Sequence, residues 1–294
     1  MTTPRMHADQ LEIDAALVRR LLAAQFPQWA GLALRRVRSA GTVNAVYRLG
    51  DELSVRLPLV PEWAGDLESE LEWLPRLADG GGLPLEIPEP VAAGEPGEGY
   101  PARWAVYRWL DGVTPEWRGL DDPRTAGRLA EFVRALRDLD PGGAPEGKGQ
   151  RLLAADDDAV REAIASLAGT VDTAAATAVW TDALAAEVWD GERVWVHGDL
   201  LHLNLLTRGG ELSAVLDFGS AGAGDGAYDL LPAWTLFTGA AREAFRAELA
   251  PDDAAWARGR GYALAKGLIA LPYYRETNPV FAAFAREVID ASLA

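Results

Sequence analysis

The sequence predicts an α+β chain in which a small antiparallel sheet carrying one helix precedes a larger, mainly helical part. Two patterns in its 294 residues carry that expectation. Up to residue 107, short alternating apolar runs are broken by Gly, Asp and Pro turns, as strands are. After Asp111-Gly112 the runs lengthen and apolar residues recur at helical spacing. We expect residues 1–107 to form the first lobe, 108–112 a hinge, and 113–294 the second lobe.

Taken in order, Ile13 to Phe26 has helical spacing, with Pro27 beyond its end. Leu34 to Ala40 and Ala45 to Leu49 read as strands around Gly41-Thr42-Val43-Asn44. Gly50-Asp51-Glu52 is a turn and Leu53 to Leu57 the next strand. Leu67 to Leu77 is a helix. Three glycines (80–82) with Pro84, Pro88 and Pro90 mark a loop. Arg103 to Trp109 alternates as a strand, with Trp109 expected in the core. Thr125 to Leu139, Asp156 to Ala168 and Ala174 to Val188 read as helices, and Arg193 to Val196 as a short strand. Ala227 to Phe237, Ala241 to Leu249, Asp253 to Leu271 and Pro279 to Leu293 are helical, the last with Asn278 as cap and Pro at its first position.

The charge of −16 argues against a general nucleic-acid binder, which needs a basic stripe to neutralise phosphates. It suits a cationic small-molecule substrate. The absence of Cys excludes disulfides, thiolate catalysis and Cys-based zinc sites. Met1 to Asp14 is polar and carries acids, so no signal peptide is expected. No apolar run approaches the ~20 residues that span a bilayer. We expect a cytoplasmic protein, a monomer or homodimer, with no membrane or nucleic-acid partner.

The densest chemistry lies in His197-Gly198-Asp199-Leu200-Leu201-His202-Leu203-Asn204, followed thirteen residues later by Asp217-Phe218-Gly219. Phosphoryl transfer from a nucleotide needs one carboxylate to take a hydroxyl proton, and an amide oxygen and a second carboxylate to hold magnesium. Asp199, Asn204 and Asp217 have those chemistries. Leu205 to Thr207 and Leu212 to Leu216 form a hairpin around Gly209-Gly210. With that turn Asn204 faces Val215, and period two puts Asp217 on the same face, as a diagonal neighbour about 7–8 Å away. His197 and His202 read as loop structure rather than catalysts.

In the first lobe, Gly41-Thr42-Val43-Asn44 is a turn whose backbone amides can approach a phosphate. Arg56 lies between Val55 and Leu57 on a strand, so it needs an acidic partner, and Glu70 on the following helix is the candidate. An Arg so paired can grip phosphate with its fork. Val106 to Gly112 runs from strand into linker, and edge backbone groups there can hydrogen-bond adenine.

Together these motifs resemble the aminoglycoside phosphotransferase family, within the protein-kinase-like superfamily, over almost the whole chain. The carrying residues are Gly41-Thr42-Val43-Asn44, Val55-Arg56-Leu57-Pro58, Trp73-Leu74-Pro75-Arg76-Leu77-Ala78, Tyr107-Arg108-Trp109-Leu110-Asp111-Gly112, His197-Gly198-Asp199…Asn204, Leu216-Asp217-Phe218-Gly219 and Gly224-Asp225-Gly226-Ala227-Tyr228-Asp229-Leu230. The resemblance implies a two-lobed kinase-like fold using ATP, with GTP as the alternative, and Mg²⁺ to phosphorylate a hydroxyl of a small molecule of the aminoglycoside type, which would make it an antibiotic-resistance enzyme. It implies Asp199 as the catalytic acid/base and Asn204 and Asp217 as metal ligands. Arg56 stands where the family usually has a Lys, paired with Glu70. Thr42 would lie over the phosphates, and the Arg108 carbonyl and Leu110 amide would meet adenine. Asp225 and Asp229 would brace the loop. Leu201 and Leu203 replace a His and a Gly common in the family, so this loop is expected to pack differently. Kinases of macrolides or other metabolites share the pattern. A nucleotide-binding pseudo-kinase and a metal-dependent hydrolase using His197, Asp199 and His202 are the remaining alternatives, the last short of ligands with three His in all.

Overall fold

In the computed structural model, which describes residues 10–37, 43–150, 153–189 and 191–294, the chain divides into two units. The first is Met1–Gly81, Glu86–Gly112 and Ala214–Gly219; the second is Gly82–Leu85, Val113–Ser213 and Ser220–Ala294.

The first unit opens with α1 (Ala15–Gln25). Asp14 caps it, its Oδ1 accepting the Leu17 amide at 2.7 Å. Five strands follow: β1 (Leu34–Arg36), β2 (Asn44–Leu49), β3 (Leu53–Pro58), β4 (Pro90–Gly94) and β5 (Trp104–Arg108), with α2 (Ala64–Asp79) between β3 and β4. They form one antiparallel sheet in the order β1-β2-β3-β5-β4. Val55 pairs with Tyr47 on one side and Val106 on the other, and these join Leu17, Leu21 and Trp104 in the core. Burying each large apolar side chain contributes about 1.5–3 kcal/mol. The polar tips inside are satisfied: the Tyr47 hydroxyl donates to the Ile13 carbonyl at 3.0 Å and the Trp104 indole to the Glu95 carbonyl at 3.1 Å.

Three expectations change here. The proline-rich loop ends in a strand, β4, which lies at the sheet edge. There Pro90 costs no ladder bond, and the register shifts between Pro90 and Ala92. The second helix is longer than the expected Leu67 to Leu77, running from Ala64 to Asp79 with Pro75 inside it. Trp109 is half-buried, not core: it lies beyond the end of β5, its indole donates to Asp111 at 2.9 Å, and the Arg48 guanidinium stacks 4.6 Å from its ring.

The second unit holds α3 (Pro123–Arg137), α4 (Asp157–Ser166), α5 (Thr173–Ala185), β6 (Val194–Val196), β7 (Leu205–Arg208), β8 (Glu211–Val215, its last two residues in the first unit), β9 (Gly222–Gly224), α6 (Pro232–Thr235), α7 (Gly239–Leu249), α8 (Asp253–Tyr274) and α9 (Pro279–Leu293). Asp122 caps α3, accepting the Arg124 and Thr125 amides at 3.0 Å each. Asn278 caps α9, with Pro279 at its first position. α3 packs on α7 and α8 on α9, around buried Phe132, Trp180, Trp195, Phe237 and Phe245. Between β7 and β8, Gly209 and Gly210 have φ of 63° and 86°, the conformation that a two-residue hairpin turn requires. The expected helix from Ala227 to Phe237 is instead a 3₁₀ turn, Gly226–Leu230, followed by the short α6. The sheet-and-helix division makes this an α+β protein. No helix among the described residues is long and apolar enough to cross a membrane.

Candidate active site

β6 delivers the chain to His197, which is fully buried. Asp229, also buried, holds the turn that follows: its Oδ2 accepts the His197 amide at 2.6 Å and its Oδ1 the Gly198 amide at 2.9 Å. Desolvation raises the Asp229 carboxyl, and these bonds together with the neighbouring His197 and Arg137 only partly offset it. The His197 Nδ1 accepts the Asp199 amide at 3.2 Å, so this ring serves the loop. Gly198 has φ 80°, and a Cβ there would lie 2.7 Å from the Ser220 carbonyl oxygen. Gly198→Ala is therefore expected to cost at least the ~1–2 kcal/mol of a left-handed residue. A lower melting temperature with a fall in turnover would show it; parental values in both would show that the loop accepts a side chain.

Leu200 and Leu201 turn into the core. A 3₁₀ turn, His202–Asn204, then folds the chain back. This return lets the Asn204 Nδ2 donate to both the Asp199 carbonyl at 2.8 Å and the Asp199 Oδ2 at 2.9 Å. The other carboxylate oxygen, Oδ1, accepts from the Lys266 Nζ at 2.7 Å. Burial acts to raise the Asp199 carboxyl, but the charges of Lys266 and Lys148 outweigh it and hold the group well below the usual carboxylate range. Asp199 is thus an oriented, ionised acceptor. Lys266 was not singled out by motif reading, because helical spacing in α8 says nothing of a partner 67 residues away. One signal was present: among 28 basic residues, only Lys148 and Lys266 are lysines.

Nearby, Asp225 accepts from the Arg258 Nε at 2.8 Å and from the Ala227 amide at 2.9 Å, tying α8 to the 3₁₀ turn. The His202 ring packs 5.2 Å from Phe284, and its buried Nδ1 has no hydrogen-bond partner among the described residues. Desolvation lowers its pKa, which favours the neutral ring.

In the first unit, Arg56 on β3 and Glu70 on α2 meet at 2.7 Å, with side-chain exposures of 14% and 1%. Glu70 is a three-way junction. Its Oε2 also accepts the Tyr107 hydroxyl at 2.8 Å, and its Oε1 accepts the Phe218 amide at 2.8 Å. Burial raises the Glu70 carboxyl, while Arg56 pulls it back. For Arg56, burial works against the charge and the Glu70 carboxylate outweighs it, so the guanidinium stays protonated. Its Nη2 lies 3.8 Å from Asp217 Oδ1, and its Cζ lies over the Tyr107 ring, 5.1 Å from the centroid. Tyr107 was not anticipated as the third member.

At the end of β5 the Arg108 amide donates to Glu89 O at 2.9 Å and the Trp109 amide to Glu52 O at 2.8 Å, on opposite sides of the strand. A strand residue's amide and carbonyl point to the same side, so the Arg108 carbonyl faces the Glu89 side, while Leu110 lies beyond the end of β5. Among the described residues the Leu110 amide has no backbone partner. Thr42 lies outside the described residues.

The face relation expected for Asn204 and Asp217 does not carry over. β8 stops at Val215, Asp217 takes a left-handed backbone with φ 64°, and Asn204 lies in the 3₁₀ turn. Strand alternation holds at neither position. Their donor chemistry does suit magnesium. With its Nδ2 spent on Asp199, the Asn204 amide keeps its oxygen as an acceptor, and the Asp217 side chain is 37% exposed. Among the described residues no group of three or more His, Cys, Asp or Glu could hold a metal ion. A magnesium ion commonly uses one or two protein oxygens, with phosphates and water for the rest.

Residues 34–262 match the model of the phosphotransferase enzyme family. Among solved structures, the chain is similar to the GDP and kanamycin complex of APH(2")-IIia, with TM-score 0.72 and 18% identity over 94% of this chain and 97% of that one. It is similar to the streptomycin-ATP-APH(2")-IIa ternary complex, with TM-score 0.62 and 16% identity over 92% of each. The apoenzyme of macrolide 2'-phosphotransferase MphH from Brachybacterium faecium gives TM-score 0.60 and 21% identity over 95% and 97%. No curated protein matches the chain. At these identities the structural likeness is one of fold, and the fold is the protein-kinase-like one. Because the family match spans more than half of its length, the chain belongs to the phosphotransferase enzyme family and is a small-molecule kinase.

Proposed function

We propose that the protein transfers the terminal phosphoryl group of ATP, or of GTP, to a hydroxyl of a small molecule, an aminoglycoside-type antibiotic in the first instance. The observation that carries this is the grip of Asn204 and Lys266 on the two oxygens of Asp199. It leaves an ionised carboxylate fixed in direction, which is what aligning a hydroxyl and accepting its proton requires. The remaining roles rest on residue chemistry and the family pattern. Arg56, steadied by Glu70, takes the phosphates; Thr42 covers them; the Arg108 carbonyl and Leu110 amide take the base. Asn204 and Asp217 supply oxygens for magnesium, which when bound neutralises phosphate charge. Catalysis then consists of positioning and charge neutralisation. In this reading the protein works in the cytoplasm.

A second acceptor class is favoured by a specific observation. Lys266 places a cation beside Asp199, where it repels an ammonium on the acceptor. Tyr274, within electrostatic reach of Lys266, starts a file of rings that runs into the core, Tyr274 to Phe281 at 4.7 Å, Phe281 to buried Phe284 at 5.5 Å and Phe284 to His202 at 5.2 Å. These suit a macrolide or another hydroxyl compound of low positive charge. A coupled assay of ADP or GDP release across aminoglycosides, macrolides and small amino alcohols separates the two. Release that depends on one class assigns it. Nucleotide binding without transfer to any member would favour a pseudo-kinase instead.

A further inference from the structure

The chain uses arginine almost everywhere it needs a cation. Its two lysines, Lys148 and Lys266, both act on one carboxylate, that of Asp199. Lys266 stands on α8 within Ala263-Leu264-Ala265-Lys266-Gly267-Leu268, an apolar stretch in which a charge has to be held by something. Gly267 brings this part of α8 onto α9, since a Cβ there would sit 2.9 Å from Ile289 Cγ1 and 3.0 Å from the Ala285 carbonyl oxygen. That close approach sets the position from which Lys266 reaches Asp199.

The Lys266 side chain keeps 24% of its surface exposed and that of Asp199 23%, so the pair is not sealed in the core. An ammonium has three N–H donors. Among the described residues one goes to Asp199 Oδ1, leaving two. An acceptor hydroxyl bound by Asp199 stands about 2.6–3.2 Å from the carboxylate. Bound at Oδ1, its oxygen is within two hydrogen-bond lengths of Nζ, and the phosphoryl group that moves onto it forms its new bond at that oxygen.

We propose that Lys266 is a catalytic residue, whose ammonium donates a hydrogen bond to an oxygen of the phosphoryl group in transit to the acceptor hydroxyl. This rests on the kinase reading of Asp199. In the step, the acceptor oxygen forms the new P–O bond as the bridging P–O bond to the nucleoside diphosphate breaks. The electron pair of the broken bond leaves with the diphosphate. The hydroxyl proton passes to the Asp199 carboxylate, and Lys266 keeps its own proton throughout. A compact ammonium on a flexible stem suits this handover better than a forked guanidinium. Lys148, exposed and within electrostatic reach of the same carboxylate, adds to the positive field.

The test needs no knowledge of the acceptor. MgADP with fluoroaluminate mimics the phosphoryl group in transit, and its binding can be compared with that of MgADP alone. Lys266→Met is expected to bind MgADP as the parent does, yet to lose the extra tightness that fluoroaluminate confers by about 10²–10³-fold, the usual cost of deleting one donor to transition-state charge. Lys266→Arg should restore part of it. If Lys266→Met does not fold, Lys266→Gln carries the same comparison. A neutral variant that binds MgADP–fluoroaluminate as tightly as the parent would overturn the proposal, leaving Lys266 as a structural partner of Asp199. A parent that binds neither MgADP nor MgGDP would overturn the nucleotide reading, and this proposal with it; if it binds only MgGDP, the same comparison is made with MgGDP.

Discussion

Asp199→Asn is expected to lower turnover by about 10²–10⁴-fold, the range for losing a positioned general acid–base group, with nucleotide affinity nearly unchanged. Asparagine has almost the same shape but only one acceptor oxygen, whereas Asp199 serves two donors, Lys266 Nζ at 2.7 Å and Asn204 Nδ2 at 2.9 Å. The substitution therefore removes a charge and one hydrogen bond with little change in volume. The residues proposed to take the nucleotide, Arg56, Glu70, Arg108 and Leu110, belong to the first unit, and Asp199 to the second. That separation is why affinity and turnover should part company. Asp199→Ala should be equally inactive and should melt lower than Asp199→Asn, since it also removes the one side-chain acceptor that asparagine still offers to Lys266 and Asn204. Steady-state kinetics beside a nucleotide titration decide the matter. Turnover equal to the parent's would remove Asp199 from the reaction.

Much of the first unit was readable because its signals are local. The turn at Gly50-Asp51-Glu52 and the alternation on either side locate β2 and β3 to within a residue. The pairing of Arg56 with Glu70 followed from a charge set between apolar neighbours on a strand. What could not be read needed information from other parts of the chain. β9 is Gly-Ala-Gly, with no side-chain pattern at all; it is a strand because β6 lies alongside, Val194 opposite Gly224 and Val196 opposite Gly222. Asp217 looked like the next alternating residue of a strand, and only its backbone, at φ 64°, shows that the strand has ended. Lys266 is the clearest case. Its place in α8 is a matter of helix packing against α9, and its role comes from a loop far away in sequence. Composition alone marked it, as one of two lysines in an arginine-rich chain.

Glu70→Ala is expected to lower stability by about 3–5 kcal/mol, the cost of removing one partner of a buried ion pair. Three groups lose their acceptor at once: the Arg56 guanidinium, the Tyr107 hydroxyl and the Phe218 amide. Arg56 would be left with Asp217 at 3.8 Å as its nearest counter-charge, too far for a good hydrogen bond. The Phe218 bond matters for a second reason. It ties α2 to the residue after Asp217, whose left-handed backbone stores strain of roughly 1–3 kcal/mol. Once that bond is gone Asp217 can relax, and magnesium-nucleotide affinity should fall together with stability. A double variant separates the two effects. Arg56→Met with Glu70→Ala leaves no unpaired cation, so its urea midpoint should recover above that of Glu70→Ala alone. Its nucleotide affinity should not recover, because neither the phosphate grip nor the hold on Phe218 has been restored. Stability losses that simply add across the two substitutions would show no coupling, and the ion pair would then not be what holds this junction together.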